Sequence, residues 1–119
     1  MGRRRAMGGD RDLLAGTLDM LILRIVQAGA VHGLQIAQTI ERQSDDALLV
    51  EQGSLYPALH RLEQRGWIAS KWGVSDTNRR AKFYTLTPGG RKQLKTETSR
   101  WEMLTRAISR VMRAAPAKG

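Results

Sequence analysis

Cysteine is absent from the 119-residue chain, which excludes a disulfide framework, a thiolate metal site and a cysteine nucleophile. Histidine occurs twice, at His32 and His60, and there is no glycine-rich phosphate loop, so little is available for an active site. No catalytic residue, metal or other cofactor is therefore expected. Asp45-Asp46 is an adjacent acidic pair, but acidic residues after a helix are ordinary turn formers. Long hydrophobic runs are missing too. Leu18 to Val26 is broken by Asp19 and Arg24 and falls short of the roughly 20 apolar residues of a membrane span. Met1-Gly-Arg-Arg-Arg-Ala6 has no apolar region behind its basic residues and no hydroxyl at position 6. Neither a signal peptide nor a myristoyl anchor is expected. A cytoplasmic protein with no membrane partner is the default.

What the chain does have is positive charge, +9 overall, and enough apolar residues (41%) to form a core. The excess is unevenly placed. Residues 1–12 carry +2, residues 13–69 carry −2, residues 70–100 carry +6 and residues 101–119 carry +3. It is densest at Arg79, Arg80 and Lys82 and again at Arg91, Lys92 and Lys95. A segregated excess points to a polyanion on one side of the molecule, the alternative being a solvated basic face.

The order of elements follows from periodicity. Residues 1–12, with Arg3 to Arg5 and Gly8-Gly9, lack apolar periodicity and read as a flexible basic arm. From Leu13, apolar residues lie nearly all round a helix ending before Gly29, among them Leu14, Leu18 and Leu21. A helix like that is buried on more than one side, which in so small a domain hints at a partner chain. A second helix spans about Gly33 to Gln43, with Leu34, Ile36, Ala37 and Ile40 inside. Ser44-Asp45-Asp46 breaks it, and Ala47 to Val50 is either a brief strand or a packed loop.

The third helix carries the most information. Ser54 is a suitable N-cap, Leu55, Ala58, Leu59 and Leu62 form one inward stripe, and Gly66 ends it. Pro57 would be its third residue, where a missing N–H costs nothing. The outward face holds Ser54, Tyr56, Pro57, His60, Arg61 and Gln64, a mixture that a purely structural helix does not need. An ordinary amphipathic surface helix is the alternative. Strands are expected over Trp67 to Gly73 and Ala81 to Leu86, joined by a polar turn at residues 74–78 with Arg79, Arg80 and Lys82 at its basic tip. Thr87 and Pro88 open a last helix, about Gly90 to Arg113. Its apolar positions Leu94, Trp101, Leu104, Ile108 and Val111 are spaced like a heptad. Exposed in water, that stripe would be a liability, so packing on another subunit is expected, with folding back on its own domain as the alternative.

The fold expected is mainly α with a small β-hairpin: a winged helix–turn–helix over residues 13–87, a C-terminal dimerisation helix over 88–113 and a disordered tail over 114–119. Four segments carry a resemblance: Gly16-Thr-Leu-Asp-Met-Leu-Ile-Leu23, His32-Gly-Leu-Gln-Ile-Ala37, Glu51-Gln-Gly-Ser-Leu-Tyr-Pro-Ala-Leu-His-Arg-Leu-Glu63 and Asn78-Arg-Arg-Ala-Lys-Phe-Tyr-Thr-Leu-Thr87. With Trp101 on the last helix, they resemble the PadR family of bacterial transcriptional regulators, in its compact subgroup with a single C-terminal helix. The likeness runs from about Leu13 to Met112, and Gly53-Ser-Leu-Tyr-Pro-Ala-Leu59 is its specific signature. It implies a homodimer repressing transcription at a palindromic operator in double-stranded DNA, nucleoid-associated when bound. In many members a small aromatic or hydrophobic effector releases the DNA. Two departures are that Ala81 interrupts the basic run of the wing and that Arg3 to Arg5 have no counterpart.

On this reading Ser54, Tyr56, Pro57, His60 and Arg61 are the DNA-facing candidates of the recognition helix. Arg79, Arg80 and Lys82 grip the backbone from the wing. Arg61 has a competing role in pairing with a nearby carboxylate. The dimer interface is assigned to Leu14, Leu18, Leu21, Leu94, Trp101, Leu104 and Ile108. Trp101 has three readings: dimer packing, effector platform or intramolecular core. The rival functions are a winged-helix module that binds DNA or RNA without sequence preference and a winged helix used only for protein assembly.

Overall fold

The computed structural model describes residues 8–116, with side chains from residue 17 onward. In chain order it contains α1 (Gly8–Val26), β1 (Val31–His32), α2 (Gly33–Gln43), α3 (Gln52–Gln64), β2 (Ile68–Val74), β3 (Arg80–Leu86) and α4 (Pro88–Arg113). Helix α1 begins at Gly8, so residues 8–12 are helical and not part of an arm. The Arg3 to Arg5 segment and the last three residues lie outside the described residues.

Helix α2 opens with a reciprocal cap. The Gln35 amide donates to His32 Nδ1 at 3.3 Å, and the His32 amide donates back to the Gln35 side-chain oxygen at 3.1 Å. This satisfies two backbone donors, as Ser or Thr does in the usual capping box. At the other end Asp45 and Asp46 adopt left-handed φ angles of 52° and 63°. Short acidic side chains tolerate that region, which is why they break the helix. Residues 47–50 form a loop and not a strand. Leu48 donates its amide to Ser44 Oγ and Val50 its amide to Glu41 Oε2, each at 3.0 Å.

Helix α3 starts three residues earlier than expected. Glu51 is the N-cap, extended at φ −85° and ψ 149°, and makes no side-chain cap bond. Its carbonyl accepts the amides of Ser54 (3.0 Å) and Leu55 (2.9 Å), so Ser54 is the third helical residue and not the cap. Pro57 is then the sixth residue and forgoes the helical bond to the Gly53 carbonyl, a greater cost than at the third position. The inward stripe Leu55, Ala58, Leu59 and Leu62 is buried as expected.

The hairpin is antiparallel, with Ser70 opposite Tyr84 and Trp72 opposite Lys82. A third strand, β1, was not legible in the sequence. It pairs Val31 with Tyr84 and His32 with Phe83, giving sheet order β1-β3-β2. Thr87 caps α4, as expected, accepting the Gly90 amide at 2.9 Å, with Pro88 at the first helical position.

The core gathers Ile22, Leu23 and Val26 from α1, Ile36 and Ile40 from α2, the α3 stripe, Ile68 from β2 and Tyr84 from β3. Each fully buried aliphatic side chain contributes about 1.5–3 kcal/mol. Leu18 and Leu94, expected at a dimer interface, are buried in this same core and have almost no surface left for a partner. Beyond Leu94, α4 leaves the body. The Cα radius of gyration is 16.7 Å, against roughly 13 Å for a compact 100-residue domain.

Candidate nucleic-acid interface

A groove of about 830 Å³ runs between the start of α2, the outward face of α3 and the hairpin. From the helices, His32, Leu34, Gln35, Gln38, Tyr56, His60 and Glu63 line it; from the hairpin, Trp72, Arg79, Arg80, Lys82 and Tyr84. Strand alternation explains the hairpin's share. Residues 80, 82 and 84 of β3 face one way with residues 70, 72 and 74 of β2, while 81 and 83 face the other. That face packs on α3 at its base, where Tyr84 and Ile68 are buried, and continues outward as the cationic wall. Ala81 has the opposite parity and only borders the groove, so its interruption of the basic run leaves Arg80 and Lys82 on the groove side.

The wall is tied to α3 through Glu63. Its carboxylate accepts a hydrogen bond from Ser70 Oγ and lies 3.8 Å from Lys82 Nζ. Burial pushes the Tyr84 phenol above its ordinary pKa, and the nearby Glu63 and Tyr56 add to the effect. At the tip, Asn78 takes a left-handed φ of 61°, the Ser75 amide donates to the Arg79 carbonyl at 2.8 Å, and the Arg79 amide donates to Ser75 Oγ at 3.2 Å. The basic tip is therefore an ordered turn.

The expected recognition residues divide. Tyr56 and His60 are exposed on α3 and line the groove, and Tyr56 lies so close to Gly33 that a Cβ there would come within 2.9 Å of its ring. Ser54 and Pro57 lie on the first turns of α3 outside that lining. Arg61 is committed elsewhere: its guanidinium donates to Asp19 of α1 at 2.6 and 3.4 Å. Its donors thus join α3 to α1, through Asp19 and not through the Glu51 or Glu63 that sequence proximity favours. The sequence reading also missed Glu63 as a brace, His32 as a cap and Trp72 as part of the wall. Trp72 had a legible signal, since alternation places it beside Lys82.

A second, apolar groove of about 410 Å³ lies between α1 and α4, lined by Met20, Leu21, Leu48, Leu94 and Trp101. Beyond it Trp101, Met103, Leu104, Ile108, Val111 and Met112 are all exposed, with Trp101 at 45% and Val111 at 73%. Trp101 is not an intramolecular core residue. Leu21 is half-buried at the groove's edge, and the Leu14 side chain lies outside the described residues.

Three helices, a hairpin whose inner face carries cations, and a long helix leaving the body define a winged helix–turn–helix protein with a C-terminal extension. The family described as "Transcriptional regulator PadR-like family" matches residues 22–96. "Transcriptional regulator Rv3488" of Mycobacterium tuberculosis is 33% identical over 98 residues, covering 82% of this chain and 88% of that protein. A transcriptional regulator from Clostridium thermocellum superimposes with a TM-score of 0.75 at 31% identity, over 83% of this chain and 96% of that one. A PadR-like regulator from Bacillus cereus shares the fold with a TM-score of 0.77 at 24% identity, over 87% and 99%. The chain belongs to the PadR-like family of transcriptional regulators, which are not classed as enzymes. Among the described residues no helix is long and apolar enough to cross a membrane.

Proposed function

We propose that the chain is a cytoplasmic, sequence-specific DNA-binding regulator that works as a homodimer at a palindromic operator, where it represses transcription. The observation that carries this reading is the single groove shared by the outward residues of α3 and the cations of the wing. A helix in the major groove reads base edges, and an adjacent basic hairpin holds the backbone. Tyr56 and His60, with Ser54 and Pro57 on the leading turns, form the reading surface. Arg79, Arg80 and Lys82 provide the phosphate grip, and Arg61 braces the helix from behind.

Dimerisation through α4 is supported by the exposed stripe of Trp101, Leu104 and Ile108, which continues the apolar groove beside Leu21. A small aromatic or hydrophobic effector would enter between the copies against Trp101. Binding there lowers DNA affinity only if the effector prefers the spacing of the unbound heads.

Selection of bound duplexes from a random DNA pool tests the proposal. The expected product is an inverted repeat whose half-site centres lie about 34 Å apart. Uniform retention of all duplexes would favour a winged-helix module that binds DNA or RNA without sequence preference.

A further inference from the structure

The three wing cations are not equivalent. Lys82 faces Glu63 at 3.8 Å, so a carboxylate already offsets its charge. Arg79 sits on the exposed tip with no side-chain partner among the described residues. Arg80 lies with its guanidinium carbon 4.5 Å from the centre of the Trp72 ring, well within cation–π range. Lys82 Nζ is 5.9 Å from the same ring. Trp72 itself is 56% exposed, on the groove-facing side of β2. Nothing in the core requires an indole there.

Stacking differs from hydrogen bonding in what it uses up. It occupies one face of the planar guanidinium and leaves the in-plane N–H donors free. The Arg80 side chain makes no hydrogen bond or ion pair with any described residue, whereas the donors of Arg61 are directed at Asp19. Arg80 is therefore both held in place and chemically unspent. A flexible arginine loses rotamer freedom when it captures a phosphate, and one already held by a ring loses less.

We propose that Trp72 is a positioning residue of the wing, holding Arg80 over the groove so that the guanidinium meets a nucleic-acid phosphate already oriented. The inference rests on the DNA-binding reading and adds a residue that the reading does not need. Trp72 contributes through Arg80, without a phosphate contact of its own.

The test is a set of titrations of a mixed-sequence duplex at several salt concentrations, with wild type, Trp72→Leu, Trp72→Phe, Arg80→Ala and the Trp72→Leu/Arg80→Ala double variant. Trp72→Leu is expected to weaken binding about fivefold with an unchanged salt slope, and Trp72→Phe to recover most of the loss. Arg80→Ala should lower the slope by about one, and adding Trp72→Leu to it should cost nothing further. Side-chain NMR without DNA gives an independent readout: ring-current shifts of the Arg80 δ protons should be present in wild type and absent in Trp72→Leu. Equal losses from Trp72→Leu with and without Arg80 would overturn the proposal, as would absent ring-current shifts. Failure of wild type to bind any duplex would remove the DNA reading and this inference together, while additive losses with intact wild-type binding would remove the inference alone.

Discussion

An added methyl group at Gly90 would sit 1.9 Å from the Trp67 carbonyl oxygen and 2.7 Å from Leu86 Cδ1. The obstacle is backbone, and the same carbonyl accepts the Thr87 amide at 3.1 Å. The first turn of α4 can therefore approach the base of the hairpin only without a side chain. Gly90→Ala is expected to cost about 1–3 kcal/mol by forced displacement, read as a lower urea midpoint. An unchanged midpoint would show that the contact yields freely. Tyr84 gives a pH prediction. Its phenol is buried and its folded pKa is raised, so the fold favours the neutral form. The stabilisation is complete below the unfolded pKa of about 10 and is lost as pH rises through the folded value. Urea midpoints of wild type should therefore fall more steeply above about pH 10 than those of Tyr84→Phe. Parallel curves would mean that the phenol ionises alike in both states.

At the scale of elements, α4 is the most legible part of the chain, the start of α3 is less so and β1 is the least. The Thr87 cap, Pro88 and the heptad spacing each report α4 locally, and the element has those features. The start of α3 is hidden because Gly53-Ser54 looks like a cap, while the Glu51 backbone carbonyl performs that function. Strand β1 is only two residues long and exists through pairing with β3, some fifty positions away, so no local pattern announces it. The exposed stripe of α4 carries its own prediction. Leu104→Glu should lower the unfolding midpoint only by what association contributes, because residue 104 is more than half exposed in its own chain. It should nevertheless convert a dimer into monomers in sedimentation equilibrium at micromolar concentration. A wild-type chain that is already monomeric there would discard the two-copy reading.

For the molecule as a whole, the winged frame could be read from the order of helices and hairpin, since each segment declares its own period. Contacts between segments could not. Asp19 and Arg61 are 42 positions apart, and their pairing gives a candidate DNA contact a bracing role. Leu18 and Leu94 illustrate a related limit: apolar spacing marks a face as buried without saying whose residues bury it. The groove was partly legible, because alternation along β3 puts residues 80 and 82 on one side, but its closure by Trp72 and Glu63 depends on register and packing.

Thr87 joins two levers at a single elbow. Its hydroxyl donates to the Gly66 carbonyl at 2.6 Å, at the corner between α3 and the hairpin, while accepting the Gly90 amide in the first turn of α4. The arm that would meet a second copy is thus bolted to the corner from which the reading helix and the wing both extend. In a symmetric pair, the angle of that elbow would determine the stride between the two heads, and a molecule wedged against the arm would alter the stride without touching either head.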